Sequence, residues 1–374
     1  MSTIKLKGDL MEVSIVLPTL NEENSIGKTI KEIKQILSKD KTSFEIIVVD
    51  SDSEDRTAII ARREGAKVVN ELQRGYGNAL RKGFKEAKGK YVIMYDPDGS
   101  YDANTLPLMI KLLRKGYDYL NANRFAKLTY KSMSLRHYIG NKIINMMGNI
   151  FFHIGFKDML SGYKGFRAEA LRKLNLKAQK WDFNVEVHSK LRRNNLKFKE
   201  INTRYFPRLG DSKLTRTKAA WNNFRFMLMY SPNFVFIYPS ILFMLISLFA
   251  IVYILTSATL GNISLIASTI VFIIGFQMFL FGIMLKNIIV KKDFDKKSLL
   301  SELGSKLNLG KGIFIGLSLF TTSFLIFILI FLKWLKLGKQ LSSTDIKFSI
   351  LGFAILMMSL SIITYGFVNE TLSE

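Results

Sequence analysis

The sequence contains no cysteine and only three histidines in 374 residues. The absence of cysteine excludes disulfide bonds, thiolate nucleophiles and cysteine-based metal sites. His137, His153 and His188 lie far apart in the sequence, and this spacing gives no sign of a zinc cluster. We therefore look for function among the carboxylates and the basic residues.

Acidic residues are also few, because 30 Asp and Glu stand against 54 Lys and Arg, for a formal net charge of +24. Residues 233–374 carry 11 Lys and 6 acidic residues, a net +5, which leaves +19 for residues 1–232. A domain this basic is drawn to anionic lipid headgroups or to nucleic acid. The sequence has no nucleic-acid-binding motif, so we expect a lipid bilayer as a partner and no nucleic acid.

Charged residues are absent from four long apolar stretches in the C-terminal part of the chain. These stretches are residues 234–255, 263–285, 313–332 and 348–368. Each has about 20 residues or more, the length that crosses a hydrocarbon core as a helix. Buried helices of a soluble core are the alternative, but four such stretches without an amphipathic period disfavour it. We predict four transmembrane helices within residues 233–374.

The loops between these stretches indicate an orientation. Residues 286–311 hold seven Lys against three acidic residues, whereas residues 257–262 carry no charge and residues 334–345 carry two Lys and one Asp. The positive-inside rule places the basic loop in the cytoplasm. Four spans then place the N-terminal domain and the C-terminus in the cytoplasm as well. Residues 1–10 are mixed and polar, so we expect no secretion signal there.

Residues 13–206 alternate between short β-branched runs and segments with helical spacing of apolar residues. The predicted strands are residues 13–17, 44–49, 67–69, 91–95, 117–120 and 198–206. Strands that alternate with short helices predict βαβ units and a parallel sheet, hence an α/β domain. Ligands of such sheets bind outside the carboxyl ends of the strands.

Polar side chains follow three of the predicted strands at these carboxyl ends. They are Thr19, Asn21 and Glu22 after the first strand, Asp50 and Asp52 after the second, and Asp96 and Asp98 after the fourth. One polar strand end is ordinary, but three in succession favour a single site.

The fourth strand ends in Asp96-Pro97-Asp98, and Asp102 follows four residues later. Hard cations prefer oxygen ligands, and Mg²⁺ is commonly held by one or two carboxylates together with substrate phosphates. An acidic turn without a ligand is the alternative, because Asp, Pro and Gly are turn residues. The neighbouring strand ends favour a divalent cation held against a diphosphate.

A second glycine-containing turn, at Arg74 and Gly75, precedes a predicted helix. A helix N-terminus with a nearby arginine suits a phosphate group. Glycine at a helix entrance also serves backbone geometry alone, so both interpretations stay open here.

Residues 211–232 form a basic stretch that ends where the first predicted span begins. Basic residues alternate there with Trp221 and Phe224, a composition typical of a helix in the headgroup region. We therefore divide the chain into an α/β domain over residues 1–210, a juxtamembrane segment over residues 211–232 and a membrane domain over residues 233–374.

Seven motifs occur in one order along residues 12–232: VLPTLNEE, VVDSDSEDRT, RGYGNALRKGF, DPDGSYD, NRF, SGYKGFR and GDSKL. In this order they resemble the inverting family 2 glycosyltransferases of the GT-A fold. Within that family the chain is similar to polyprenyl-phosphate (dolichyl-phosphate) hexosyltransferases that carry C-terminal membrane helices. The resemblance implies a Rossmann-like, mixed and mostly parallel sheet, and a hexosyl transfer from a nucleotide-diphosphate sugar to a lipid phosphate.

The resemblance also implies roles for single residues. For the donor nucleotide these are Pro18, Thr19, Asn21, Glu22, Asp50 and Asp52, and the turn at Arg74 and Gly75 is added as a phosphate contact. Asp96 and Asp98 would be the DxD ligands of Mg²⁺ or Mn²⁺, with Asp102 as an orienting group. Arg124, Arg136, Ser161 and Lys213 would lie on the side of the acceptor phosphate. Glu186 would face the sugar, the alternative being an exposed helical carboxylate.

At Ser100 the sequence differs from the pattern of the dolichyl-phosphate mannose synthases, and this difference bears on the identity of the donor sugar. Many dolichyl-phosphate mannose synthases have Leu-Gln-His after the DxD, whereas this chain has Gly99-Ser100-Tyr101. The DGSYD form is similar to dolichyl-phosphate glucose synthases, so donors of the UDP-glucose and GDP-mannose types both stay open. A phosphate acceptor with a second pKa near ~6 is largely ionised at neutral pH, so transfer to it requires no catalytic base.

Two other functions compete with this interpretation. A processive or oligosaccharide-building transferase with a hydroxyl acceptor usually carries a Gln-x-x-Arg-Trp motif, which residues 179–181 do not match. A transporter with a regulatory domain would carry ionisable groups inside its spans, and the four stretches have none. We expect the helices to be an anchor, one that could also associate as a homo-oligomer.

Overall fold

The structure is a computed structural model that describes residues 11–128, 132–209, 216–256, 261–292, 297–336 and 340–372. The chain divides into two compact units, Met1–Met227 and Leu228–Glu374. This division lies inside the predicted juxtamembrane segment, where a helix forms over Arg216–Met229. The headgroup location of that segment stays a prediction.

A seven-stranded sheet forms the centre of the first unit. Its strands are β1 (Val13–Thr19), β2 (Phe44–Asp50), β3 (Lys67–Asn70), β4 (Tyr91–Tyr95), β5 (Tyr119–Leu128), β6 (Tyr163–Arg167) and β7 (Phe198–Tyr205). The strand order is β3-β2-β1-β4-β6-β5-β7. β6 is antiparallel to both of its neighbours, while the other pairs are parallel. The sheet is therefore mixed and mostly parallel.

Helices connect the strands and cover the sheet. They are α1 (Ile26–Lys39), α2 (Thr57–Arg63), α3 (Tyr76–Glu86), α4 (Leu106–Arg114), α5 (Leu135–Phe152), α6 (Ala168–Leu174), α7 (Phe183–Leu191) and α8 (Arg216–Met229). α1 buries Ile26, Ile30, Ile33 and Leu37, at the spacing that puts them on one face. Every residue of β1 is buried, as expected for a central strand covered on both faces.

The register of β1 with its neighbours brings the polar strand ends together. Thr19 at the end of β1 is the partner of Asp50 at the end of β2, and Val16 pairs with Met94 of β4 on the other side. Because β2, β1 and β4 are adjacent and parallel, their carboxyl ends lie side by side. Their amino ends, with the turn at Asp40 and Lys41 before β2, lie at the opposite edge.

Two features of the sheet differ from the sequence prediction. β6 was not predicted, because its residues were interpreted only as a motif of the acceptor side. β5 extends to Leu128 rather than ending at Leu120, so Arg124 lies within a strand. β6 has only five residues, and the second half of β5 is rich in polar residues. Apolar periodicity gives little signal in either case.

Four helices of the second unit are long and apolar enough to cross a membrane. The first span, Asn233–Thr256, begins with a π-helical turn and continues as α9 (Tyr238–Thr256). The other spans are α10 (Asn262–Lys291), α12 (Leu309–Lys336) and α13 (Ser343–Thr371). All four predicted spans lie inside these helices. An α/β domain followed by four apolar helices confirms the expected fold class.

The basic connection predicted over residues 286–311 is mostly helical. α10 continues to Lys291, and a short helix α11 (Leu299–Lys306) precedes α12. α11 is held by polar contacts, since the Tyr365 hydroxyl donates to the Gly304 carbonyl at 3.1 Å and the Asn369 amide donates to the same oxygen at 3.2 Å. The sequence analysis missed α11 because it considered only the charges of residues 286–311 and not their periodicity.

α12 and α13 pack closely as an antiparallel pair. The Ser323 hydroxyl of α12 donates to the Gly352 carbonyl of α13 at 2.7 Å, and the Ser359 hydroxyl of α13 donates to the Gly316 carbonyl of α12 at 2.7 Å. Small residues and reciprocal serine bonds are typical of helix pairs that form in lipid.

Candidate active site

A cavity of about 230 Å³ lies at the carboxyl ends of β1, β2 and β4. Six residues that the sequence predicted for the site line it together: Pro18, Thr19, Glu22, Gly75, Asp96 and Asp98. Residues at the ends of β1 and β4 therefore share one cavity. Neither Asp50 nor Asp52 lines it, and Ser51 between them represents the end of β2 there.

Asp96 is held by an aromatic pair. The Tyr76 hydroxyl donates to Oδ1 of Asp96 at 2.9 Å, and the Tyr76 ring stacks on Trp181 with centroids 4.4 Å apart. Burial, followed by the charge of Asp98, raises the pKa of Asp96 to about 7. Two carboxylates that share a buried site resist ionising together, so a nearby positive charge favours their ionised forms.

Gly162 makes room for the Asp96 carboxylate. A Cβ at position 162 would lie 1.7 Å from Oδ2 of Asp96, far inside van der Waals contact. The SGYKGFR motif thus places its glycine backbone directly against the Asp96 carboxylate. This close approach explains why position 162 is a glycine.

Asp98 is oriented by its own turn. The Ser100 hydroxyl donates to Oδ1 of Asp98 at 2.5 Å, and the Ser100 backbone N–H donates to the same oxygen at 3.0 Å. Gly99 between them has φ +73°, a conformation that glycine adopts at little cost. Ser100 therefore fixes the orientation of Asp98 and leaves Oδ2 toward the cavity.

The segment after β7 brings Arg208 to the same carboxylates. The Phe206 N–H donates to the Ser100 carbonyl at 2.8 Å, and the Leu209 N–H donates to the Asp98 carbonyl at 3.0 Å. Arg208 pairs with Glu22, and its Nε lies 3.6 Å from Oδ2 of Asp98. A residue 110 positions downstream of the acidic turn thus supplies positive charge to it.

The carboxylate pair fits a divalent cation. The described residues contain no cluster of three His, Cys, Asp or Glu that could hold a metal on its own. Two carboxylates can hold Mg²⁺ or Mn²⁺ when a diphosphate and water complete the shell. The raised pKa of Asp96 marks the buried negative charge that such a cation would neutralise.

The other predicted nucleotide residues form the adjoining loops. Asn21 accepts from the Glu54 N–H at 2.8 Å, and Asp50 accepts from the Ser53 hydroxyl at 2.5 Å. The first bond ties the loop after β1 to the loop after β2, and the second lies within the loop after β2. Asp52 and Arg74 form an exposed ion pair at 3.4 Å, so Arg74 is engaged by a neighbouring carboxylate.

Gly75 serves close packing at the entrance to α3. A Cβ there would lie 2.3 Å from the Gln179 carbonyl, and the same carbonyl accepts from the Asn78 N–H at 3.1 Å. The geometric interpretation of this glycine is thus supported, while a phosphate contact stays a prediction.

Glu186 is fully buried, so the alternative of an exposed helical carboxylate is wrong. It accepts from the Ala178 N–H at 2.7 Å and pairs with Lys190 at 2.7 Å. Its carboxylate therefore shapes the loop that carries Trp181, and a contact with the sugar stays a prediction.

Asp102 caps the single 3₁₀ turn that leads into α4. Its Oδ1 accepts from the Asn104 N–H at 3.0 Å, and the residue borders a separate cleft with Lys28 and Glu32. This cap accounts for the carboxylate, and a catalytic role stays a prediction.

Arg124 is buried in a bidentate ion pair. Its Nε and one terminal nitrogen each lie 2.7 Å from an oxygen of Asp158. Burial acts to lower the pKa of Arg124, but the charge of Asp158, its hydrogen bond to Arg124 and the neighbouring Tyr101 and Tyr205 together raise that pKa well above its usual value. Asp158 thus holds the guanidinium that the resemblance assigns to the acceptor phosphate.

The remaining acceptor-side residues are dispersed. Ser161 is buried and donates to the Tyr101 hydroxyl at 3.4 Å, and Arg136 is exposed in the first turn of α5. Lys213 lies outside the described residues. Neither Ser161 nor Arg136 lines the cavity, and the roles of all three residues stay predictions.

Sequence reasoning missed Tyr76, Trp181, Arg208 and Asp158. Tyr76 lay inside the RGYGNALRKGF motif and carried a signal, since an aromatic residue interrupts a glycine turn. The other three reach the site or Arg124 through tertiary contacts that no local pattern encodes.

Comparison with known proteins gives the family. The family described as glycosyl transferase family 2 matches residues 14–174. The chain is 31% identical over 278 residues to the low-salt glycan biosynthesis hexosyltransferase Agl6 of Haloferax volcanii. This alignment covers 72% of this chain and 67% of that protein. A dolichyl-phosphate hexose transferase of the same organism is 27% identical over 207 residues, 54% of this chain and 86% of that protein.

Among solved structures, the chain is similar to glucosyl-3-phosphoglycerate synthase from Mycobacterium tuberculosis. The identity is 21%, the TM-score 0.47, and the match covers 58% of this chain and 79% of that one. The family match over residues 14–174 agrees with the family that the motif order and the site at the strand ends indicate. The chain belongs to glycosyltransferase family 2.

Proposed function

We propose that this glycosyltransferase transfers a hexosyl group, with inversion, from a nucleotide-diphosphate sugar to dolichyl or polyprenyl phosphate. The observation that carries the proposal is the pair Asp96 and Asp98 in a cavity at three adjoining strand ends. The raised pKa of Asp96 fits a site in which a bound cation would stabilise the ionised carboxylate.

On the donor side, Asp96 and Asp98 would hold Mg²⁺ or Mn²⁺ against the diphosphate. When bound, the cation supplies Lewis-acid stabilisation of the negative charge that develops on the leaving nucleotide. Tyr76 and Ser100 keep the two carboxylates oriented through their hydroxyl groups. Thr19 and Glu22 line the same cavity and would contact the nucleotide.

On the acceptor side, the proposal needs positioning rather than a base. A phosphate monoester is largely ionised at neutral pH because its second pKa is ~6, so its oxygen is already nucleophilic. Arg124, fixed by Asp158, supplies a preorganised positive charge, and Arg136 and Lys213 would add to it. The relative named as a dolichyl-phosphate hexose transferase supports this class of acceptor.

The four apolar helices support a lipid acceptor as well. A catalytic unit joined to spans of 24 to 30 residues stays near the bilayer, where a polyprenyl phosphate headgroup lies. We propose that this unit and both termini face the cytoplasm, because Lys residues are concentrated in residues 286–311.

The test is an assay of membranes that contain the full chain. They are incubated with polyprenyl phosphate, Mg²⁺ or Mn²⁺, and a panel of labelled UDP- and GDP-sugars, and the lipid fraction is extracted with chloroform and methanol. We expect label in the lipid with one donor, no label after EDTA, and none with D98N. A water-soluble oligosaccharide as the sole product would overturn the proposal in favour of a hydroxyl acceptor.

A further inference from the structure

Arg208 faces the acidic residues of the cavity. It pairs with Glu22, and its Nε lies 3.6 Å from Oδ2 of Asp98. Burial alone would lower the pKa of Arg208, but the charges of Asp98, Glu22 and Asp96 outweigh it and raise that pKa. The guanidinium is thus the counter-charge of the carboxylates that we assign to the metal.

The contact with Asp98 is electrostatic rather than a formed hydrogen bond. Nε of Arg208 is buried and has no hydrogen-bond partner, and a separation of 3.6 Å is beyond hydrogen-bond length. Arg124 differs, because two of its nitrogens lie 2.7 Å from Asp158. Arg124 is therefore held by formed hydrogen bonds, whereas Arg208 has a buried donor left unsatisfied, which is unfavourable.

A metal ion at this site would meet the guanidinium. Ser100 occupies Oδ1 of Asp98 with two hydrogen bonds, which leaves Oδ2 as the more accessible oxygen. Mg²⁺ binds carboxylate oxygens at about 2.0–2.1 Å, and Oδ2 is the oxygen that Arg208 faces. Two positive groups on one carboxylate oxygen repel each other, so each weakens the binding of the other.

We propose that Arg208 is the resident counter-cation of the donor-free site and makes metal binding depend on the nucleotide. Without a donor, its guanidinium compensates Asp98 and Glu22 and disfavours a metal ion there. When a metal and a diphosphate arrive together, the guanidinium turns to the phosphate oxygens, for which its planar fork is suited. The inference rests on the proposed function only in taking a nucleotide diphosphate as the ligand.

This positioning role differs from two simpler ones. If Arg208 only fastened the segment after β7, its loss would lower stability and leave metal affinity unchanged. If it only bound the diphosphate, its loss would weaken nucleotide binding and leave the binding of metal alone unchanged. The affinity for metal in the absence of nucleotide therefore separates the three roles.

The experiment is a Mn²⁺ titration of the detergent-solubilised full chain, in which free Mn²⁺ is followed by electron paramagnetic resonance. We expect R208Q to bind Mn²⁺ alone about tenfold more tightly than the wild type, since a like charge is removed. R208K keeps a positive charge and is expected to stay within about threefold of the wild type. R204Q is the matched control, because Arg204 is an exposed arginine of β7, and its loss should change nothing.

A second titration tests the wild type itself and does not depend on the folding of a variant. UDP or GDP is added to the wild-type protein, and one of them is expected to tighten Mn²⁺ binding. The proposal is overturned if R208Q binds Mn²⁺ no more tightly than the wild type, or if neither nucleotide tightens Mn²⁺ binding. No acceptor and no turnover enter these titrations, so a failure of lipid-phosphate transfer remains a separate result.

Discussion

The hydroxyl of Tyr76 donates a 2.9 Å hydrogen bond to Asp96, and this bond lowers the pKa of a carboxylate that its surroundings raise. Tyr76→Phe removes the bond and keeps the ring that stacks on Trp181. We expect weaker Mn²⁺ binding at neutral pH, because more of Asp96 is then protonated. Mn²⁺ affinity measured across pH should show the wild-type affinity restored at higher pH, and an unchanged profile would contradict the role of the bond.

The pair Asp96 and Asp98 predicts an unusual pH dependence of stability. In the unfolded chain a carboxyl group ionises near ~4, whereas Asp96 in the folded chain ionises at about 7. Between these values the folded state binds a proton that the unfolded state has lost, so the stability of the metal-free protein falls as pH rises.

Thermal unfolding with EDTA and with Mn²⁺ checks this prediction. Mn²⁺ should raise the unfolding midpoint more above pH ~7 than below it, because the cation requires the ionised carboxylate. D96N is the control, and its midpoint should lose the metal-free decline with pH. A decline that persists in D96N would assign it to another group.

Gly162 predicts a functional loss that does not arise from unfolding. A Cβ at this position would lie 1.7 Å from Oδ2 of Asp96, so Gly162→Ala must displace the carboxylate. We expect transfer to fall by at least about 10²-fold, as for loss of a preorganised charge. Transfer is measured as label in the lipid fraction, and Gly140→Ala is the control, because nothing lies within 4 Å of a Cβ there.

Asp98 and Asp102 have different expected roles, although the sequence grouped them. Asp98→Asn should lower transfer by about 10²-fold or more with a retained unfolding midpoint. Asp102→Ala removes the cap on the Asn104 N–H and should cost about 1 kcal/mol of stability. A loss of turnover in D102A as large as that in D98N would instead support the catalytic role that the sequence predicted.

Asp158 is expected to be a stability determinant. Asp158→Asn leaves the buried guanidinium of Arg124 without its counter-charge, and breaking a buried pair costs about 3–5 kcal/mol. Asp52→Asn breaks the exposed pair with Arg74 and should cost at most about 1 kcal/mol. Chemical denaturation followed by tryptophan fluorescence compares the two variants, and equal effects would contradict the buried pair.

The sequence predicted those parts of the fold that depend on local pattern. The strands that end near Thr19, Asp50 and Asp96 were found because apolar runs stop abruptly at polar residues. The sequence missed β6, whose five residues carry no clear period, and α11, whose eight residues lie in a segment that was interpreted only as a basic loop. Periodicity is informative only where one face of an element is apolar over several turns.

The sequence predicted the site residues that lie at the ends of parallel strands, but not those that distant segments bring to the site. Asp96 and Asp98 could be placed beside Thr19 because parallel strands align their carboxyl ends. Arg208 and Asp158 could not be placed, since each depends on where a distant segment crosses the sheet. Arg124 shows the effect of this limit, because its partner Asp158 lies 34 residues away and outside every motif of the sequence analysis.

The placement of the site at one edge of the sheet has a consequence for where the chain tolerates changes in length. An inserted residue in β1 or β2 would shift the pairing of Thr19 with Asp50 and separate the polar strand ends. The turn at Asp40 and Lys41 lies at the opposite edge and is exposed. An epitope tag or a fluorescent protein inserted there should leave the cavity intact, which makes this turn the suitable position for following the enzyme in membranes.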